Sequence, residues 1–514
     1  MEKIPTAAKW GRELRKSSRL CRIFGFVWAV CCGLSCVEKS LDIPENYTAT
    51  SEPLSIYPDY RSVTVPPNIA PLNFLVRSPG INYVAVVGKE GAELVASAKA
   101  SQTIQFEVEA WHRLLDAHRG DSLQLTVYAR SSAGWVRYPA CSFFVAPEEM
   151  DPYVAYRLIE PGYSYYRQLG LYQRCMENFD VSTLYENNRR FHYDENHCVN
   201  CHSFQQYGTD RMLFHVRTNH AGTVLVQGDE VRKLTFPADS VPMGAVYPAW
   251  HPTQDWIAFS SNRTGQAFHM QHEEKVEVMD RASDLFLYDA AQGRIQWVCR
   301  TDSLWETFPA WSPAGDYLYY AAADARRVNA HPDSISTGDL LLHYPSIRYD
   351  ILRLPFDIRT RKWGSPERVV DSASRGKSAT LPRVSPDGRY LLYTEGNYGQ
   401  FHIWHKSADL WVKDLQTGET YPLREANSND ADSYHAWSSN GRWIVFSSRR
   451  DDGSYTRLYI AYFDAAGQAH KAFLLPQCDP AQNLLLLKSY NVPELTREPV
   501  RIAPETFRKV IYEE

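Results

Sequence analysis

The sequence predicts an all-β protein in which an immunoglobulin- or fibronectin-like β-sandwich precedes a β-propeller. Three observations predict it. Short apolar segments separated by turn signals recur over residues 55–147. From about residue 205 onward the chain repeats one unit four clear times. The 514 residues are too many for one ordinary core, and 32 Tyr and 14 Trp suit extended β-structure. A net charge of -5 is small for this length, and no basic patch follows the N-terminal region, so nucleic acid is not an expected partner.

The N-terminal region reads as an export signal. Lys9, Arg12, Arg15, Lys16, Arg19 and Arg22 precede an apolar run over residues 23–35. That run has the length of a signal-peptide core and is short for a membrane span. It ends in Gly33-Leu34-Ser35-Cys36, which resembles the lipobox of bacterial lipoproteins, with Gly33 where that pattern prefers leucine. The resemblance implies removal of residues 1–35, lipidation of Cys36, and a lipid-anchored protein of the periplasm or outer membrane. The alternative is a plain signal peptide or a short signal-anchor. Residues 36–54 read as a polar tether. Cys141, Cys175, Cys299 and Cys478 remain without an assigned pairing.

In the sandwich, strands are expected at 72–76, 82–87, 92–96, 103–108, 122–129 and 135–145. Gly88-Lys89-Glu90-Gly91 marks a hairpin, and 111–118 has room for one helical turn or two. Residues 148–204 read as a connector, with strand segments near 153–159, 168–176 and 180–185 that could serve the next domain.

The repeat combines a strand, a tight turn and an aromatic strand. It appears as Tyr247-Pro248-Ala249-Trp250-His251-Pro252, as Phe308-Pro309-Ala310-Trp311-Ser312-Pro313, as Leu381-Pro382-Arg383-Val384-Ser385-Pro386, and as Tyr434-His435-Ala436-Trp437-Ser438-Ser439. Asp387-Gly388 and Asn440-Gly441 supply hairpin backbone angles. A later strand of each unit ends in an acid: Asp289, Asp357, Asp414 or Asp464. Such a sheet cannot bury both faces alone, so units must stack, and a closed ring is the usual solution. These residues resemble the propeller repeat of the TolB family of bacterial periplasmic proteins. The resemblance implies six blades, which agrees with about 280 residues at about 45 per blade. The propeller is expected over 205–514, including a C-terminal closure segment.

Within the connector lies His197-Cys198-Val199-Asn200-Cys201-His202. Cys-x-x-Cys-His is the attachment signature of a c-type haem: each thiol can add to one vinyl group, and the next imidazole can face the iron. The expected cofactor is one covalent haem c on Cys198 and Cys201, with His202 proximal. Alternatives are a Cys198–Cys201 disulfide, a zinc site or a chance match; no second Cys-x-x-Cys completes a zinc pattern. Met212, His192 and Met176 are candidate distal ligands, and His197 is tethered too closely to cross the ring. The whole layout, with Cys198 to Phe204 matching residue by residue, also resembles a group of uncharacterised Bacteroidetes lipoproteins.

A repeated Phe-His-x-x-His supplies His269, His272, His402 and His405. In a propeller these loops could meet at one channel mouth and bind a metal, an anion or a second redox centre; repeat ancestry with ordinary loop packing is the plainer reading. His251 and His435 sit at turns and read as turn caps. Ser312, Ser385 and Ser438 lack a nucleophile elbow, so a serine hydrolase is not expected. The functional expectation is electron transfer or redox sensing with an envelope partner docked on the propeller, rather than an enzyme, with peroxidase-like chemistry as a lesser case. The alternative is a non-enzymatic scaffold binding an envelope protein or a glycan.

Overall fold

The computed structural model describes residues 41–89, 92–160, 168–188, 197–269, 274, 276–326 and 337–513. Cys36, His192 and His272 fall outside these. The chain divides into Met1–Asp42 and Ile43–Glu514, and every described strand belongs to the second unit. Among the described residues no helix is long and apolar enough to cross a membrane.

The N-terminal part of the second unit is built on two sheets and a helix. A seven-stranded sheet is centred on Asp121–Ser131, which pairs with Asn82–Lys89, Gly134–Arg137 and Cys141–Val145. A three-stranded sheet holds Ile56–Tyr57, Phe74–Val76 and Thr103–Ile104. The strand expected over 103–108 stops at Ile104, because the chain turns into the helix Val108–Ala117. Glu107 caps that helix, accepting from Glu109 N at 2.9 Å and Ala110 N at 2.6 Å. Trp111, Leu114 and Leu115 stand at i, i+3 and i+4 and are its buried face. The Trp111 ring stacks on Phe106 and Phe143, with centroids 5.4 and 5.9 Å away.

Among the described residues six small antiparallel sheets follow. The first contains Tyr153–Ile159, Leu169–Cys175 and Val181–Glu186, with Ser489–Thr496 from near the chain's end as its outermost member on one side. The next five begin with His197–Phe204, Val246–Trp250, Leu304–Trp311, Ser378–Val384 and Asp432–Trp437. The strands at 153–159, 169–175 and 181–186 thus complete a sheet with the C-terminal strand.

Each sheet shares an apolar cluster with the next. Leu171 packs with Val199 and Phe214, and Leu213 with Ile257 and Phe259. Leu285 packs with Leu318 and Tyr320, and Ile351 with Leu391 and Tyr393. Leu392 packs with Ile444 and Phe446. The last cluster joins Val445 and Ile460 to Tyr156 and Leu495, which returns the series to the first sheet. That same cluster continues into the N-terminal core through Trp111, Phe143 and Val145. Polar bonds tie the two parts as well. Ser439 Oγ donates to Asp151 Oδ1 at 2.6 Å, Tyr462 OH to Glu148 Oε2 at 2.9 Å, and Trp443 Nε1 to Glu149 O at 3.2 Å.

The acids that end the third strands have a local task. Asp289, Asp357, Asp414 and Asp464 each accept from backbone N–H groups two to four residues on, at 2.8–3.1 Å. The carboxylate thereby closes the hairpin that follows it.

Candidate functional site

One outermost strand of each sheet carries the same defect, the first in chain order in five of them and Ser489–Thr496 in the sheet of Tyr153–Ile159. Register breaks at one bulge in all six, and the bulged residue takes a left-handed backbone: Cys201, Tyr247, Phe308, Leu381, Tyr434 and Val492, with φ between 45° and 57°. All six line one cavity of about 1010 Å³. The Cys-x-x-Cys-His segment is therefore the first strand of a sheet, and Cys201-His202 holds the repeat position that Tyr434-His435 holds further on. The residue after the bulge is proline in the other four strands: Pro248, Pro309, Pro382 and Pro493.

Four residues past the bulge stands a turn cap. Ser312, Ser385 and Ser438 accept from the backbone N–H of Tyr317, Tyr390 and Trp443 at 3.0, 2.9 and 2.9 Å. His251 Nδ1 accepts from Thr253 N and Gln254 N, both at 3.2 Å. In the haem-motif strand the place is taken by Gln205, whose Nε2 donates to His251 O at 2.7 Å and so reaches the neighbouring sheet. These serines and His251 hold turns.

The motif's three chemical residues all line the cavity. Cys198 is buried in the cluster of Val199 and Phe214, with Asn200 Nδ2 3.5 Å from its sulfur. Cys201 is partly exposed, and neither thiol is in a disulfide. His202 is 3% exposed, and neither ring nitrogen has a partner within 3.5 Å in good hydrogen-bond geometry, although the Ala155 and Val492 backbone lies close enough to act on the ring. Burial, helped by the nearby Arg157 charge, pushes its pKa down to about 4 against the opposing pull of the Ala155 and Val492 backbone, so the ring is neutral at pH 7. A neutral imidazole is the form that binds a metal. Two free thiols and this ring, on one cavity at the upper end of ordinary cofactor-site volumes, fit the donor set of a c-type haem. His197 differs: it is fully buried, and its Nε2 lies 2.7 Å from Tyr185 OH.

Of the distal candidates, Met212 and Met176 lie apart from the cavity lining. Met212 is buried beside Val199 and Phe214, and Met176 is buried in the N-terminal core, where its carbonyl accepts from Ala70 N at 2.7 Å. The Phe-His-x-x-His histidines divide. His269 lines the cavity. His402 and His405 are fully buried with ring centroids 5.5 Å apart. His405 Nε2 donates to Glu277 Oε2 at 2.9 Å, and Tyr398 OH donates to Glu277 Oε1 at 2.6 Å. Burial pushes the Glu277 carboxyl up, but these two donors hold it below the usual range. This trio secures the segment after Tyr390–Gly396 to the long hairpin ending at Val276–Asp289. No group of three or more His, Cys, Asp or Glu able to hold a metal ion occurs among the described residues.

Sequence reasoning missed the cavity's charged lining. Arg157, Arg217 and Arg383 face it, as does Glu494. Burial pushes the Glu494 carboxyl up to about 7 against the pull of Arg383, and its Oε2 accepts from Phe204 N at 3.1 Å. The signal that could have found them is the bulge itself: Arg383 and Glu494 each stand two residues past a bulge residue, at Leu381 and Val492.

No family model matches the chain, and no curated protein is similar to it at a significant level. Similar solved structures include Kuenenia stuttgartiensis hydrazine synthase, at 10% identity and TM-score 0.42, covering 68% of this chain and 48% of that one. The chain thus spans about half the length of that protein. The β-propeller domain of the Trilobed protease from Pyrococcus furiosus is similar at 10% identity and TM-score 0.32, covering 77% of this chain and 98% of that one. The Dos1 propeller is similar at 10% identity and TM-score 0.30, covering 83% and 87%. The last two are β-propellers. The chain's own succession of small antiparallel sheets around one cavity is what gives it a propeller fold.

Proposed function

We propose that the chain is a six-bladed propeller preceded by a β-sandwich, and that it carries one covalent c-type haem at the cavity. Cys198 and Cys201 would hold it, each S–H adding across one vinyl C=C, and His202 would be the proximal ligand. When bound, haem supplies a one-electron couple. The chain's own residues hold a neutral imidazole ready and keep it out of water, with the Phe204 ring 6.0 Å away. The carrying observation is that Cys198, Cys201 and His202 all line one cavity while neither His202 ring nitrogen has a hydrogen bond in good geometry. The role that follows is electron transfer or redox sensing with an envelope partner docked on the propeller. Export and lipid anchorage through Cys36 suit this role, since c-type haem is attached outside the cytoplasm.

One observation favours a second reading, a TolB-like scaffold that binds an envelope protein or glycan. The left-handed bulge at Cys201 recurs in five other strands, so the fold alone accounts for that backbone. Intact mass separates the two. Protein made with a haem-maturation system should gain the mass of one haem that survives denaturation. Loss of that gain in Cys198→Ala/Cys201→Ala supports the first reading. An unmodified mass in the wild-type chain leaves the scaffold.

A further inference from the structure

Three guanidinium groups reach the cavity from three different strands: Arg157 from Tyr153–Ile159, Arg217 from Arg211–Thr218 and Arg383 from Ser378–Val384. Arg157 Nη1 donates to Val199 O at 3.2 Å, and its buried Nε has no partner. Arg383 Nη1 donates to Pro382 O at 3.1 Å. Among the described residues neither Arg157 nor Arg383 forms an ion pair within 4.0 Å. The three converge. Burial, and then the Cys201 thiol, push the Tyr434 hydroxyl up, while Arg157, Arg383 and Arg217 all oppose that shift. All three line the same cavity as Tyr434 and Cys201.

Few anions of the lining answer Arg157 and Arg383. Glu160 is already paired with Lys488 at 2.7 Å. Glu494 is the other lining carboxylate, and its carboxyl is partly neutral near pH 7. Cations held in a confined cavity without counter-charge are costly to desolvate, and a ligand's anion removes that cost. The remaining wall is apolar: the Tyr247 and Phe308 rings lie 4.3 Å apart, and Leu381 and Val492 complete it. Guanidinium forks match carboxylates in shape as well as charge.

We propose that the cavity binds a carboxylate-bearing ligand, its carboxylates held by Arg157, Arg217 and Arg383 and its apolar body against Tyr247, Phe308, Leu381 and Val492. The carboxylates have two possible sources. They are the propionates of the haem proposed above, in which case this site rests on that reading, or they belong to a free small carboxylate.

The test uses the full chain expressed without haem maturation. One probe is metal-free mesoporphyrin, which has two carboxylates and no vinyl groups, so it cannot form thioethers. Its dimethyl ester is the control, and citrate is the second probe. Binding is read by porphyrin fluorescence and by calorimetry. The expected result is mesoporphyrin bound at least about tenfold more tightly than its ester, with a further loss of about tenfold or more in R383Q and in R217Q. Arg217 is exposed, so R217Q keeps the test sound if a more buried variant fails to fold. Citrate binding with the same arginine dependence, and no porphyrin binding, supports the site with a free carboxylate as its ligand. Equal binding of acid and ester, indifference to both substitutions, or no binding of either probe overturns it. Absence of covalent haem in matured protein would sink the haem reading and leave these titrations unaffected.

Discussion

Cys201 shows how one position can serve fold and chemistry together. A non-glycine residue in the left-handed region costs roughly 1–3 kcal/mol. Five other side chains bear the same strain at equivalent places, so at Cys201 it belongs to the repeat. What sets this strand apart is chemistry: a thiol where the others have Tyr, Phe, Leu or Val, followed by an imidazole without a hydrogen bond in good geometry. His202 should therefore remain neutral on acidification until about pH 4, which a ring-proton NMR titration of the haem-free chain can follow; a midpoint near 6.5 would contradict the burial argument. The turn caps make a second prediction. Ser438→Ala removes the acceptor for Trp443 N and should cost about 1 kcal/mol in denaturant unfolding with little change in slope. The Cys-x-x-Cys-His signature is legible in the sequence, but its place in the repeat is not. Phe204 and Gln205 replace the tryptophan and serine that mark other copies, so the strand reads as connector. Comparing Cys201-His202-Ser203-Phe204 with Tyr434-His435-Ala436-Trp437 recovers the register.

Closure is the element on which the ring depends. Ser489–Thr496 pairs with Tyr153–Ile159, so the first and last parts of the repeat region share one sheet. Arg457, nearly fully buried, gathers the approach to this strand, donating to Asn483 O, Leu486 O and Lys488 O at 3.0, 2.7 and 2.9 Å. Beyond it, the helix Pro504–Tyr512 buries Phe507 and Ile511 against the haem-motif sheet, with Phe507 5.3 Å from Phe214. Phe507→Ala should destabilise the chain by about 3–5 kcal/mol, measured by denaturant unfolding. Truncation after residue 488 should expose the edge of Tyr153–Ile159 and give aggregation in light scattering. This pairing is only half legible. The repeat pattern announces blades with a Trp and an Asp-Gly turn, whereas Ser489–Thr496 has neither and keeps only the bulge with Pro493 behind it. The helix Val108–Ala117 is half hidden for a related reason: β-rich surroundings disguise an acid cap followed by an i, i+3, i+4 apolar face.

Buried titratable groups set the stability of the whole molecule against pH. Burial pushes His215, His402 and His435 down to about 3, and His202 and His251 to about 4. The unfolded chain binds these protons first, so their effect is to lower stability as pH falls from about 6.5 towards 3–4. The buried acids act oppositely. Burial pushes Glu306 up to about 8, Asp280 and Glu494 to about 7, and Asp284 and Asp409 to about 6. The folded chain binds these protons first, so they raise stability as pH falls from about 8 to about 4. Between about 6.5 and 4 the two groups largely offset one another. Tm should be highest near pH 5–6.5 and lower at both 8 and 3.5, read by calorimetry at constant ionic strength. A Tm that climbs steadily to pH 8 would show that the buried acids do not stay neutral.

The central claim is that the strand His197–Phe204 carries a covalent haem at the cavity. The most direct measurement is a reduced-minus-oxidised absorbance spectrum of the full chain, made with a haem-maturation system and extracted with acid-acetone. Haem bands that stay with the polypeptide, and vanish in Cys198→Ala/Cys201→Ala, are the expected result. A wild-type polypeptide left colourless by the extraction would contradict the claim.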